Sequence, residues 1–338
     1  MLDVSWLSIV KLIAVPVVFY ILFLIRDILA LMFVVFIIVS ALNPVISRMQ
    51  KRMPRILAVT LIYFGLFVLL IGVSTVLFQP LAAQVSYLAE IIPSKVNSVM
   101  PFFERIKDGN QFIKDITNNL QQISGSLTTF SGNLINTAFG IFGGIFTVFT
   151  VMVLTFYLLL EEAAAKQFLD NILVGPQRDK LMGVVQKISH KMGAWVRGQL
   201  ILMVIIGILD LVVLLILGVQ SPLPLALWGG LMEIVPYLGP ILGAVPAVVV
   251  ALVAGSPLQA LLVAILMIVV IQQLEGQFLV PKVMQKAVGL SPVVVILALL
   301  IGGKLMGIVG ALLAIPIAAI IAVLVQQWGT IQKALNPD

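Results

Sequence analysis

The chain contains no cysteine and a single histidine, His190, in 338 residues. The first absence excludes a disulfide framework, an iron–sulfur cluster and a thiolate zinc site. The second excludes an HExxH metalloprotease and leaves a Ser-His-Asp triad only if His190 serves it. No GxxxxGK[ST] run occurs, so the chain carries no Walker-type ATP engine. Charge is scarce too: 10% of residues are charged against 61% hydrophobic, and the mean hydropathy is +1.19. A soluble globular chain is about a quarter charged and roughly half apolar. Too little polar surface is left to clothe a water-facing body of this size. A soluble enzyme, a disordered chain and a free nucleic-acid binder are poor readings, and no cofactor is expected.

What is present is a series of long apolar runs of the length that crosses a bilayer as α-helix. Lys11 precedes an apolar run from about Leu12 to Ile25, which reads as a retained first span rather than a removable signal peptide because no small-residue cleavage site follows. Arg26 and Asp27 predict a tight turn, and a second span runs from Ile28 to about Ile46. The loop after it holds Arg48, Lys51, Arg52 and Arg55 without an acid, which makes it cytoplasmic by the positive-inside rule and places the N-terminus on the same side. A third span covers Ile56 to Phe78.

From residue 79 to 137 the composition turns polar and its charges balance, with apolar residues such as Val85, Leu88 and Ile92 at helical spacing. This predicts a small external helical insert. A fourth span follows over 138–160, rich in glycine at its start (Gly140, Gly143, Gly144), where small residues allow close helix packing in lipid. Segment 161–198 carries more basic than acidic residues and reads as a cytoplasmic amphipathic stretch. Gln199 to Gly218 is a fifth span running outward.

Beyond Gly218 the pattern changes. Ser221 to Ala254 is apolar but broken by Pro222, Pro224, Pro236, Pro240 and Pro246. Each interior proline removes a backbone donor and clashes with the preceding turn. The cheaper structure is a broken hairpin that enters the membrane and returns, its freed backbone groups facing protein or a water-lined cavity. Leu258 to Leu274 is a sixth span, followed by an inside connector from Glu275 to Leu290. Pro292 to Gly303 is too short for an upright crossing and fits both a tilted span and half of a hairpin, with Lys304 at the turn. Leu305 to about Val325 is the last span. Ser221-Pro222 with Pro246, and Ser291-Pro292 with Pro316, recur at an offset of 70 and suggest an inverted repeat of the secondary-transporter kind.

The expected architecture is therefore an all-α polytopic integral membrane protein. It has about eight transmembrane helices, Pro/Gly-broken re-entrant hairpins in its C-terminal half, a small external helical insert and both termini in the cytoplasm. Spans 1–3 occupy residues 1–78, and a C-terminal transport core occupies 199–338.

Ionisable groups inside a membrane are costly and mark function by default. Asp210 in the fifth span reads either as a structural partner for a neighbouring helix or as a proton or cation ligand. Glu233, three residues before Pro236 in the broken hairpin, is the stronger candidate, because unwound carbonyls there can join it around a cation or polar solute. Glu275, with Gln272 and Gln273, closes the sixth span as an interfacial cap or a gating group. Lys282 after Pro281 reads as a headgroup contact, Lys304 as a snorkelling residue, and His190 and Arg197 as markers of the inner interface.

The run Glu233-Ile-Val-Pro-Tyr-Leu-Gly-Pro-Ile-Leu-Gly-Ala-Val-Pro246 resembles a signature of the AI-2E family transporters, also called the PerM-like permease family. Leu274-Glu-Gly-Gln-Phe-Leu-Val-Pro-Lys-Val-Met284 and the tail from Gly289-Leu-Ser-Pro292 through Ala314-Ile-Pro316 carry the same resemblance. It implies a multi-pass protein of the bacterial inner membrane. Its implied activity is export of autoinducer-2, a quorum-sensing solute, or sodium or lithium/proton antiport. The site residues it implies are Glu233, Pro236, Tyr237, Gly239, Pro240, Glu275, Pro281 and Lys282. Gly276 stands where the family commonly has Asn, and Ser291 where it commonly has His, so each position lacks a polar group that could bind or titrate. The partners implied are the lipid bilayer and a small polar solute or Na+/H+, with homo-oligomers such as a pentamer. An ion channel and a non-transporting oligomeric scaffold remain as readings of the residues alone.

Overall fold

The apolar stretches are helical wherever the structure describes them. The computed structural model describes residues 14, 16–18, 20–77, 80, 142–161, 178–284 and 289–335. Among these residues there is no strand. The first helices are α1 (Arg26–Met49), α2 (Arg55–Leu77), α3 (Phe142–Leu160) and α4 (Arg178–Ile216). Next come α5 (Pro222–Met232), α6 (Gly239–Val250), prolonged by a π turn over Ala251–Gly255, and α7 (Pro257–Val283). The last are α8 (Pro292–Gly307), α9 (Val309–Gln326) and α10 (Trp328–Leu335). The external insert expected over 79–137 lies outside the described residues except for Pro80.

By length and composition, α1, α2, α4, α7 and α9 can each cross a bilayer, while α5, α6 and α8 are apolar but shorter. Large apolar side chains lie outside as well as inside: Phe64, Phe67, Phe146, Leu300 and Val325 are all more than half exposed. Hydrocarbon tolerates such a surface and water does not. The molecule is a multi-pass membrane protein.

Several boundaries differ from the expectation. No reversal forms at Arg26–Asp27. Ile25 donates to the Ile21 carbonyl at 3.0 Å, Leu29 donates to the Ile25 carbonyl at 3.0 Å, and only Ile25 itself leaves helical angles (φ −96°, ψ 12°). One such residue bends a helix but cannot turn it back, so the parity argument that set the N-terminus beside the basic loop loses its premise. The polar stretch before Gln199 is described from residue 178, and from there it is continuous with the fifth span: α4 runs unbroken for 39 residues, about 58 Å at 1.5 Å per residue. That exceeds the hydrocarbon core, so its basic first half projects beyond the membrane. The connector expected from Glu275 is helical to Met284. A wide π turn at Glu275–Leu279 relaxes the helix where the ring of Pro281 would otherwise meet the carbonyl of the preceding turn, and another lies earlier at Ile265–Ile271.

Helix α4 is the spine. Its N-terminal half packs on α1 and α9 through Met192, Trp195, Ile37 and Ala319. Its C-terminal half packs on α5, α6 and α7 through Ile206, Leu214, Leu225, Ala247 and Val263. A third cluster joins α1, α2 and α3 around Ile46, Ala58 and Leu159. Arg55 ties that cluster together, donating from Nε to the Leu159 carbonyl at 2.5 Å and from its NH2 group to Asn43 Oδ1 at 3.1 Å.

Candidate functional site

Helices α4 and α5 run antiparallel at close range because neither offers a side chain at the crossing. A Cβ on Gly230 would stand 2.7 Å from the Met203 carbonyl oxygen and 3.0 Å from the Gly207 Cα. On the other flank, a Cβ on Gly243 of α6 would stand 2.8 Å from the Gly229 Cα. Lipid supplies no hydrophobic push between helices, so such close backbone approach is what holds them together. Trp228 Nε1 also bonds the Leu242 carbonyl at 3.0 Å, pinning α5 to α6.

Between α5 and α6 the chain unwinds from Glu233 to Leu238. Ile234 and Val235 tighten the end of α5 by donating to the Leu231 and Met232 carbonyls, each at 3.2 Å. Pro236 has no N–H to continue the helix, and Tyr237 adopts the left-handed region at φ 67°, costly for a residue with a Cβ. The chain then folds onto itself so closely that a Cβ on Gly239 would lie 2.6 Å from the Glu233 Cα. Pro240 starts α6 in its first turn, where a missing donor costs nothing.

Glu233 caps α5 with 0% exposure, and no N–H or hydroxyl donates to either of its carboxyl oxygens. Two further acids come to it from other helices. Glu275 of α7, 3% exposed, meets Glu233 carboxyl to carboxyl, and it accepts from Gln272 Nε2 at 3.2 Å. Asp210 of α4, also 3% exposed, lies against Gly229 and is felt by Glu233 as well. Among the described residues no Lys or Arg is ion-paired with any of the three, and no three His, Cys, Asp or Glu side chains are placed to hold one metal ion. Burying carboxyl groups unpaired is expensive, which makes this gathering a candidate site rather than a packing device.

The structure thus brings together Asp210, Glu233, Glu275 and Gln272, and Pro236, Gly239 and Pro240 build the break that carries Glu233. Other expected members stand apart. Tyr237 is 44% exposed, Gln273 is exposed and accepts from Gln277 Nε2 at 2.9 Å, and Lys282 is exposed one residue after the partly buried Pro281. One residue was missed: Gln199 is 3% exposed and donates from Nε2 to the Glu233 backbone oxygen at 2.5 Å. Its only signal in sequence is an amide opening an apolar run. The pairing also sets the depth of the site. Gln199 is 17 residues before the end of α4, about 26 Å, so the break lies beside the start of the apolar half of α4 rather than beside its middle.

A multi-pass helical membrane protein with unpaired acids gathered at a proline-split helix belongs to the transport class. The chain is a member of the AI-2E family transporter family, which it matches over residues 9–329. It is similar to YueF of Bacillus subtilis (strain 168), named as a candidate transport protein, with 29% identity over 290 residues, 82% of this chain and 78% of that protein. It is similar also to the AI-2 transport protein TqsA of Escherichia coli (strain K12), with 24% identity over 288 residues, 85% of this chain and 82% of that one. Similarity to YrrI of Bacillus subtilis, likewise named as a candidate transport protein, reaches 32% over 175 residues, 52% of this chain and 49% of that protein.

Proposed function

We propose that the chain is a secondary transporter of the bacterial inner membrane. In this reading it exports a small polar solute such as autoinducer-2, the cargo in TqsA's name, or exchanges a monovalent cation for protons. The observation that carries it is Glu233, fully buried at a helix break against a second buried acid, with no N–H or hydroxyl donating to its carboxyl oxygens. A proton, a cation or a donor-bearing solute relieves that cost, and its departure restores it, which is what a carrier site requires. Glu275 and Asp210 interact with Glu233, so occupancy of one bears on the others.

In the same reading residues 199–338 form the transport core, and α5–α6 and α8–α9 are its paired hairpins. The sidedness follows from the basic residues. Lys187 on the projecting half of α4 bonds Gln327 Oε1 at 3.0 Å, and Arg197 bonds the Ala41 carbonyl at 3.1 Å. Both contacts support a reading in which the end of α9 and the basic loop after α1 share the cytoplasmic face. Homo-oligomers, a pentamer among them, belong to this reading too. Gly65 and Gly72 of α2 have open space where a neighbouring helix would sit.

The test uses purified protein in liposomes, compared under a sodium gradient, a proton gradient and labelled autoinducer-2. Glu233→Gln is expected to abolish flux while the protein still inserts. Unchanged flux removes Glu233 from the mechanism.

A further inference from the structure

Gln199 carries more than its bond to the helix break. While its Nε2 holds the Glu233 backbone oxygen at 2.5 Å, its Oε1 is buried without a partner. The two carboxyl oxygens of Glu233 are in the same condition. Two touching residues from different helices therefore present three buried oxygens that no N–H or hydroxyl of the described residues reaches. Native interiors avoid even one such group, because a stranded acceptor keeps its full desolvation penalty. Rotating the amide does not rescue the arrangement: Oε1 would then face the Glu233 carbonyl, acceptor against acceptor.

We propose that Gln199 is a guest-binding residue of the transport site, its Oε1 joining the two Glu233 oxygens around a guest that brings hydrogen-bond donors or positive charge. This rests on the reading of Glu233 as the transport site. The amide has a second task in the same geometry. By holding the Glu233 carbonyl, Nε2 fixes the unwound segment to α4, the straight spine, so the carboxyl group is presented at a set place. An acceptor-only cluster suits a partly dehydrated monovalent cation and a hydroxyl-bearing solute alike, and it rejects an anion. Among the described residues the acids alone are not placed to hold one ion together, and Gln199 adds an amide oxygen from α4 to the Glu233 pair.

The two sources of that chemistry are separated by assaying the full chain in liposomes with sodium ion in one arm and labelled autoinducer-2 in the other, with choline as the blank cation. In the arm that wild type transports, Gln199→Leu is expected to raise the half-saturating concentration about tenfold or more, with a smaller fall in maximal rate. Gln199→Asn keeps an amide but loses reach, and should fall between the two. Half-saturation unchanged in Gln199→Leu, while Glu233→Gln is inactive, overturns the role of Gln199 and leaves that of Glu233 standing. Full flux in Glu233→Gln, or a wild type silent in both arms, overturns the underlying reading and this one with it. Should Gln199→Leu fail to insert, Gln199→Asn decides by the same criterion, with insertion checked by its elution as a single species.

Discussion

The two helical hairpins of the C-terminal half start alike and end differently. Each opens with Ser-Pro at a helix N-terminus, Ser221-Pro222 for α5 and Ser291-Pro292 for α8. Each also carries a proline inside its second helix, Pro246 and Pro316. The first hairpin is wedged against α4 and α7, and its break, Glu233 to Leu238, buries an acid. The second turns sharply at Met306 and Gly307 (φ 60°, ψ −139°), with its two arms pressed together where Gly302 meets Gly310. Lys304, the charge nearest its turn, is exposed. The same local device therefore produces a site only where neighbouring helices seal it. A charged group at a hairpin end becomes functional through what covers it, not through the turn that exposes it.

Three substitutions probe that contrast. The largest effect is expected from Gly239→Val, because the new Cβ would meet the Glu233 Cα and the Met232 carbonyl oxygen, each at 2.6 Å. Backbone cannot yield as a flexible side chain does. A loss of about 1–3 kcal/mol is expected, read as a lower melting temperature together with lost flux. A milder change is Tyr237→Gly, which relieves the left-handed backbone at φ 67° and is expected to raise stability by up to about 1 kcal/mol. A lower melting temperature would show that the Tyr237 ring contributes more than its backbone costs. The smallest effect is expected at the other hairpin. Lys304→Ala should shift stability by no more than about 0.5 kcal/mol and leave half-saturation as in wild type. A large change there would place the second hairpin in the site as well.

Much of the fold is legible in composition and periodicity, because lipid demands long apolar helices and basic residues mark one face. The third span, expected over Ile56–Phe78 and found as Arg55–Leu77, shows how well that works. It fails where the backbone has two ways to satisfy itself. Arg26–Asp27 reads as a turn since charges interrupt an apolar run, yet the helix simply bends at Ile25. Likewise Glu275 reads as the start of a connector, yet π turns carry α7 past it. At the site, Glu233 stood out as an acid beside prolines in an apolar stretch. Gln199 did not, because its importance depends on a carbonyl 34 residues away.

Sequence by itself determined that this chain lives in a bilayer, that it is helical, and that Asp210, Glu233 and Glu275 are costly groups needing a reason. Hydrocarbon offers no hydrogen bonds, so those conclusions follow from residue type and spacing alone. Tertiary structure decided which of the candidates meet, that the break lies beside the start of the apolar half of α4, and that Gln199 touches it. Those facts depend on glycine-to-glycine helix crossings, and a crossing is a relation between distant segments that neither one encodes alone.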